Sequence, residues 1–316
     1  MSTTILQHST ENVARPGKVK RAIQTRKGFP WLLLAPALVV LALLGLFPFV
    51  YALRIAAFNI SISKPYLPKL FVGLGQYADL VRDPSFLNAL RVTIVFTVEA
   101  VFIQFWAGLG IALLFRRRIV LKGFFRVCIL VPMVITPVVV GLMWRFLLYP
   151  YAGVLTYYVQ RIATFLGVTA PQFLANPHLA LQTLIWIDIW EWTPFMFLIL
   201  NAGLSSLPSE PFEAAMVDGA SKWHIFRTLT MPLLKQSILI ALLIRTMDAF
   251  RTFDTIFVLT EGGPGNSTET LNMFLTHLGF EFFHTSKAAA MSLIMLVMII
   301  AMSFAFIKIL RKEESM

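Results

Sequence analysis

Charged residues lie inside two strongly apolar stretches of the chain, where a charge is costly. Asp188 and Glu191 lie in the first stretch, and Arg245 and Asp248 lie in the second. A charged side chain at bilayer depth costs about 2.5 kcal/mol or more, so such residues pair with one another or line a polar path. Two interpretations stay open: a polar solute site, or a buried ion-pair network that only holds the helices together. The second stretch also contains Arg251 and Asp254.

Two of these charges are predicted to pair across the two stretches. With a helical rise of about 1.5 Å per residue, Glu191 and Arg245 both lie about 18–20 Å from one membrane surface. Asp188 and Asp248 both lie about 14–15 Å from that surface. Two carboxylates at one level repel each other unless a cation or a proton intervenes. We therefore predict that Arg245 faces Glu191 and forms an ion pair with it.

Two aromatic residues, Trp192 and Phe195, lie beside the acidic pair. Aromatic faces suit sugar rings, which favours the solute interpretation. We predict that Asp188, Trp192 and Asp248 border the solute.

The sequence contains no residue set arranged for covalent or metal chemistry. We find no nucleophile with a matching general base and no metal-ligand spacing, and the single cysteine, Cys128, lies in an apolar run. We therefore predict no catalytic residue, no metal site and no enzymatic activity in this chain. Glu99 and Arg145 are isolated charges, for which we expect structural or interfacial roles. The five histidines are scattered: His8, His178, His224, His277 and His284.

Composition places the chain in a membrane. Of its 316 residues 58% are hydrophobic and 14% are charged, against about 25% charged in soluble domains. Several apolar runs reach the roughly 20 residues that a membrane-spanning helix needs. We predict an all-α, polytopic membrane protein with one transmembrane domain, 31–310, behind an N-terminal tail, 1–30. The six predicted transmembrane helices are about 31–53, 92–115, 127–148, 179–202, 236–259 and 288–308.

The distribution of basic residues predicts the orientation. The net charge is +11, but the basic residues cluster at the ends of apolar runs, which argues against a nucleic-acid partner. With both termini in the cytoplasm, the inner segments hold seventeen Lys and Arg residues and the outer segments hold seven. This bias predicts a multi-pass protein with both termini inside. The segment 151–167 has helical periodicity and is predicted to lie along the outer membrane surface.

The predicted inner loop 203–235 has a helical pattern of its own. Ser209 can cap the start of a short helix over 212–218, and Gly219 suits the position that ends it. Ser221 can cap a second helix.

This loop resembles the EAA loop of ABC importer permeases. That pattern is Glu-Ala-Ala, three residues, Gly, nine residues, Ile, one residue and Leu-Pro. The spacing matches throughout, although Leu229 replaces the usual Ile and Met231 replaces the usual Leu. The matching residues are Glu213, Ala214, Ala215, Gly219, Leu229, Met231 and Pro232.

A second resemblance follows in the sequence. The segment from Phe250 to Asp254, then Leu259 to Pro264 and Thr268, is similar to the corresponding segment of the carbohydrate-type, maltose-like branch of these permeases. Together the resemblances cover roughly residues 90–310. They imply substrate contacts on the two helices that flank the EAA loop, although this chain carries charges where the maltose-type pattern uses amides. The implied substrate-binding residues are Asp188, Glu191, Trp192, Phe195, Arg245, Asp248 and Thr252.

The family resemblance also implies partners and a mechanism. A second, different permease subunit would pair with this one, and two ATP-binding subunits would dock on its coupling loop. An extracytoplasmic solute-binding protein would deliver a sugar-like solute, and the chain itself would hold no cofactor. The complex would work by alternating access in the cytoplasmic (inner) membrane. The implied ATPase-coupling residues are Glu213, Ala214, Ala215, Asp218 and Gly219.

A stand-alone secondary transporter or channel is the alternative. It would predict inverted repeats and discontinuous half-helices, and we find neither in the sequence.

Overall fold

A computed structural model describes residues 29–60, 70–117, 119–150 and 152–314. Most of the predicted N-terminal tail therefore lies outside the described residues. The chain divides into two compact units, Met1–Arg54 and Ile55–Met316.

The described part of the first unit is one nearly continuous apolar helix. It consists of α1 (Phe29–Leu41), a π-helical turn (Ala42–Leu46) and most of α2 (Phe47–Ala56). Its 23-residue stretch Leu34–Ala56 is long and apolar enough to cross a membrane. Large apolar side chains of this stretch are exposed on the chain itself, as expected for a helix that is covered by lipid or by other protein.

Two long helices form the centre of the second unit: α4 (Pro84–Phe115) and α8 (Pro177–Ser205). Each begins with the same short sequence signal. Asp83 and Asn176 are the N-cap residues, and each side chain accepts a hydrogen bond of 2.9 Å from the backbone N–H two residues further on. A proline follows each cap at the first helical position, where its missing N–H costs nothing.

A third long helix, α11 (Met231–Phe250), packs against this pair. Small residues bring the three helices close together. A Cβ placed on Gly108 of α4 would lie 2.6 Å from the Cβ of Met196 on α8. A Cβ on Gly203 of α8 would overlap the side chain of Ser237 on α11. Such close backbone approach is typical of packing between membrane helices.

Two short strands and several further helices complete the described part of the second unit. Two short antiparallel strands, β1 and β2, pair Phe58 with Phe71 and Asn59 with Leu70. The strands are β1 (Phe58–Asn59) and β2 (Leu70–Phe71); the helices are α3 (Gly75–Arg82), α5 (Lys122–Val134), α6 (Pro137–Leu147), α7 (Val154–Phe165), α9 (Glu210–Val217), α10 (Lys222–Ile225), α12 (Asp254–Leu259), α13 (Leu271–Thr276) and α14 (Thr285–Glu314); further π-helical turns are Phe226–Thr230 and His277–Glu281.

The third predicted span is broken. We expected one helix over 127–148, but α5 and α6 meet at an angle of 94°. Thr136 precedes Pro137, and its backbone is extended (φ −68°, ψ 142°) because a following proline disfavours the helical conformation. Within the described residues, five helical stretches are long and apolar enough to cross a membrane, and the bent pair counts as a sixth if it is one span.

The fifth predicted span is also interrupted, since α11 ends at Phe250 and α12 begins at Asp254. The carbonyl oxygen of Arg251, at this break, accepts a hydrogen bond of 2.9 Å from the Asn272 side chain of α13. Arg251 therefore lies in the break and Asp254 at the start of a new helix, within the stretch Lys222–Leu259 that is long and apolar enough to cross a membrane.

Candidate functional site

Arg245 is the centre of a buried polar network between the three long helices. Its side chain is 1% exposed. Its Nε donates to Oε1 of Gln104 at 2.9 Å, its Nη1 donates to Oδ2 of Asp248 at 2.8 Å, and its Nη2 donates to Oδ2 of Asp188. The guanidinium carbon also lies 5.1 Å from the centroid of the Trp192 ring. All three guanidinium nitrogens are thus engaged with groups of this chain.

Gln104 is the member of this network that the sequence analysis missed. Its amide nitrogen donates to the backbone oxygen of Asp188 at 3.0 Å and to the carboxylate of the same residue at 2.8 Å. Its amide oxygen accepts from Arg245. Gln104 therefore joins α4 to both α8 and α11. The available signal was a polar amide in the middle of an apolar span, which in a membrane needs a buried partner.

The predicted ion pair between Arg245 and Glu191 is not formed. Arg245 forms salt bridges with Asp188 and with Asp248, which is one turn along the same helix. Glu191 is buried, 1% exposed, and the salt bridges of Arg245 do not include it. Matching the levels of two residues uses only the rise along each helix. The rotation about the helix axis decides which acidic side chain of α8 faces α11.

A cavity of about 330 Å³ lies beside this network. It is bordered by the start of α6, by α8, by the break between α11 and α12, and by α13. Its walls combine carboxylates, a guanidinium, two hydroxyls, an amide and two aromatic rings. The lining residues are Pro137, Asp188, Trp192, Asp248, Arg251, Thr252, Phe253, Asp254, Thr255 and Asn272.

Four of the predicted substrate-binding residues line this cavity: Asp188, Trp192, Asp248 and Thr252. The other three residues, Glu191, Phe195 and Arg245, do not belong to its lining. Phe195 packs edge to face against Trp192, with ring centroids 6.4 Å apart. Arg245 lies behind Trp192 and Asp248. The cavity lining also includes Pro137 of α6 and Asn272 of α13, which the sequence analysis missed. No sequence pattern indicates that these two segments lie beside α8 and α11.

The two isolated charges lie away from this cavity. Glu99 of α4 accepts a hydrogen bond of 2.9 Å from Gln182 of α8. Arg145 of α6 donates to the backbone oxygen of Val258 on α12 at 2.9 Å. Both contacts link neighbouring helices. Among the described residues, no group of three or more His, Cys, Asp or Glu side chains could hold a metal ion.

The loop with the Glu-Ala-Ala pattern forms a short helix, α9, that ends as expected at Gly219. The glycine has φ +76°, the left-handed region that favours glycine. The N–H of Ala220 donates to the carbonyl oxygen of Ala215 at 2.9 Å, and the N–H of Gly219 donates to the carbonyl oxygen of Met216 at 3.2 Å. This pair of bonds is the Schellman motif. The predicted helix end at Gly219 is confirmed.

The two predicted caps of this loop have different outcomes. Ser221 caps α10, because its hydroxyl accepts a hydrogen bond of 3.2 Å from the N–H of His224. Ser209 stands at the N-cap of α9, but its side chain makes no capping hydrogen bond. Its backbone is helical (φ −78°, ψ −31°) instead of extended, so the predicted side-chain cap at Ser209 is wrong.

Most of the side chains of α9 are exposed on this chain. Glu213, Ala214, Asp218 and Gly219 are exposed, and Ala215 is partly exposed. Two large apolar side chains of the same helix are also exposed, Met216 at 60% and Val217 at 87%.

Comparison with known proteins identifies the family. Residues 104–312 match the family described as the inner membrane component of binding-protein-dependent transport systems. The chain belongs to this family. It is therefore a membrane-embedded permease subunit that works with a binding protein. The match includes Gln104, the Arg245 network, the cavity residues of α6, α8, α11, α12 and α13, and the whole of α9.

Relatives of this permease cover most of its length. A probable ABC transporter permease protein, y4oQ of Sinorhizobium fredii, is 37% identical over 86% of each chain. The trehalose/maltose transport system permease protein MalF of Thermococcus litoralis is 32% identical over 88% of this permease and 92% of the relative. Among solved structures, a bacterial ABC transporter involved in the import of the acidic polysaccharide alginate superposes with a TM-score of 0.76 at 19% identity, covering 94% and 99% of the two chains. At that identity the structure shows a shared fold.

Proposed function

We propose that this permease carries a sugar or sugar-like solute across the cytoplasmic membrane by alternating access. The cavity beside the Arg245 network is the observation that supports this proposal. Its volume of about 330 Å³ falls within the roughly 300–1,000 Å³ of small-molecule sites. The relatives of this permease include one named for trehalose and maltose transport, which supports the same class of solute.

The chemistry of the cavity walls suits a polyhydroxylated molecule. The carboxylate of Asp248, 43% exposed, and the amide of Asn272 can accept hydrogen bonds from hydroxyl groups, and Thr252 can donate or accept. Trp192 offers an aromatic wall for the apolar face of a sugar ring. Arg245 has its nitrogens engaged, so its role is to hold Asp248 and Trp192 in place.

The coupling loop supports a partnership with ATPase subunits. In this proposal α9 docks on an ATP-binding subunit through its exposed apolar residues Met216 and Val217. The carboxylate of Glu213, in the first turn of α9, is stabilised by the helix dipole and can meet a basic partner. ATP is bound by two such subunits, and this chain performs no chemistry itself.

The proposed assembly contains this chain, a second and different permease subunit, two ATP-binding subunits and an extracytoplasmic solute-binding protein. Both termini of this chain lie in the cytoplasm. Closure of the ATPases on ATP moves the coupling helices, and the permease pair changes from an inward-facing to an outward-facing state. The ATPases bias an equilibrium between two states of the permease, and hydrolysis restores the first state.

Uptake by the reconstituted complex tests this proposal. The probes are radiolabelled trehalose and maltose delivered by the cognate binding protein into proteoliposomes that contain ATP. The change Thr252→Val removes one cavity hydroxyl at constant shape, and we expect it to lower uptake while leaving assembly intact. Thr169→Val, on an exposed hydroxyl that does not line the cavity, is the matched control. If the cognate binding protein binds no saccharide in a broader panel, the proposed sugar substrate is wrong.

A further inference from the structure

The coupling helix α9 buries one side chain, which is aromatic. Phe212 is 8% exposed and is the buried residue of this helix, all of which is described. The residues that follow it, including Glu213 and Ala214, face outward. Phe212 is therefore the residue through which α9 packs most closely against the permease.

Arg116 covers the ring of Phe212. Its guanidinium carbon lies 5.0 Å from the ring centroid, within the roughly 6 Å of a cation–π contact. Arg116 is the C-cap residue of α4, where a positive charge is favoured by the helix dipole. Among the described residues, no salt bridge engages its guanidinium group, so the Phe212 ring is the partner that fixes this cation.

The same helix that ends at Arg116 carries Gln104 in its middle. Helix α4 is continuous from Pro84 to Phe115, without internal proline. Twelve residues of helix separate Gln104 from Arg116, which is about 18 Å along the axis. Gln104 is hydrogen-bonded to Asp188 and to Arg245 beside the cavity. One rigid element thus touches the coupling helix at one end and the cavity network further along.

We propose that Arg116 is a positioning residue for coupling. It holds α9 through Phe212 on the end of α4, so that a displacement of α9 is delivered to α4 and along it to the Gln104 network. This inference rests on the proposed docking of ATPase subunits on α9. It assigns to Arg116 a role inside this chain, and not a contact with the ATPase.

The experiment uses the whole complex in proteoliposomes, with ATP and the loaded binding protein. Four quantities are measured: the amount of copurified ATPase subunit, basal ATP hydrolysis, hydrolysis stimulated by loaded binding protein, and uptake. The changes Arg116→Gln and Phe212→Leu remove the cation and the ring face. The changes Arg116→Lys and Phe212→Tyr keep them. Arg117→Gln is the matched control, because this neighbouring arginine is exposed and has no ring contact or ion pair among the described residues.

We expect Arg116→Gln and Phe212→Leu each to lower the ratio of stimulated to basal hydrolysis by about two- to fivefold, the factor that loss of one exposed cation–π contact supplies. Assembly and basal hydrolysis stay unchanged. Arg116→Lys, Phe212→Tyr and Arg117→Gln retain coupling. The double variant Arg116→Gln with Phe212→Leu is no worse than either single one, because both remove the same contact.

Three results would overturn the inference. The first is a double variant whose losses add, since the two residues would then act separately. The second is loss of copurified ATPase subunit in Arg116→Gln but not in Phe212→Leu, which would make Arg116 a direct docking contact. The third is an equal loss of coupling in Arg117→Gln. A wild-type complex that binds no ATPase subunit at all would instead contradict the proposed function.

Discussion

Gly108 of α4 packs directly against Met196 of α8, where an added methyl group on Gly108 would approach the Met196 Cβ to 2.6 Å and the backbone nitrogen of Phe197 to 2.9 Å. The second of these atoms belongs to a helix backbone, which cannot rotate away as a side chain can.

Gly108→Ala should therefore destabilise the permease. Overpacking of a tight contact costs about 1–3 kcal/mol, and we expect a lower melting temperature and a lower yield of folded protein in detergent. Gly110→Ala is the control on the same helix, because nothing lies within 4 Å of a Cβ at that position. Equal melting temperatures for the two variants would show that α4 and α8 separate more easily than this packing implies.

Gly219 calls for a different substitution test, since its need for glycine is conformational. Nothing lies within 4 Å of an added Cβ, but φ is +76°. Gly219→Val should strain the turn by more than 1 kcal/mol and misplace α9, with loss of copurified ATPase subunit or of uptake. Gly219→Asn should be milder, because asparagine tolerates the left-handed region better than other residues. A Val variant that assembles and transports as well as the Asn variant would contradict the role of this turn.

The Arg245 network predicts which double substitution restores folding. Arg245→Gln leaves the buried carboxylate of Asp188 without its cation, and breaking a buried pair typically costs about 3–5 kcal/mol. Adding Asp188→Asn should recover much of the expression, whereas adding Glu191→Gln should recover less, since Glu191 forms no salt bridge with Arg245. Expression and thermal stability of the two double variants decide the pairing. Greater recovery by Glu191→Gln would favour the pair that the sequence suggested.

The proposed orientation can be read by thiol labelling in a Cys128→Ser background. Thr169→Cys lies in a predicted outer segment and Lys222→Cys in the predicted inner loop, and both positions are exposed. An impermeant thiol reagent should label position 169 in intact spheroplasts and position 222 only after lysis. Labelling of position 222 before lysis would show that the proposed orientation is wrong.

Sequence patterns were most informative where local chemistry decides the structure. Ser221 caps α10 as predicted, because a cap depends only on residues close in sequence. Gly219 ends α9 because the required φ is local to that residue. Most of the apolar runs that predicted membrane spans correspond to long helices, because backbone groups in lipid need partners within the segment. The run 127–148 is the exception, since it is divided between α5 and α6.

The cavity could be predicted only in part, because its geometry depends on helix rotations and bends that local sequence patterns do not reveal. The charges of α8 and α11 were recognisable, but the choice of Asp188 over Glu191 as the partner of Arg245 depends on how the helices face each other. Gln104 carries no charge, so a search for charged residues in the spans does not find it. Pro137 explains why the helix breaks before it, but the 94° angle that brings α6 to the cavity depends on tertiary packing.

The close contacts at Gly108 and Gly203 have a mechanical consequence. Together with the Arg245 network they fasten α4, α8 and α11 at several heights, so this trio should translate and tilt as one stiff block. Flexing is then confined to its margins, at the break before Pro137 and at the break around Thr252. Both residues line the cavity. The proposed solute cavity therefore lies between the rigid helix trio and the two hinge points, where a small tilt of the trio changes the shape of the cavity most.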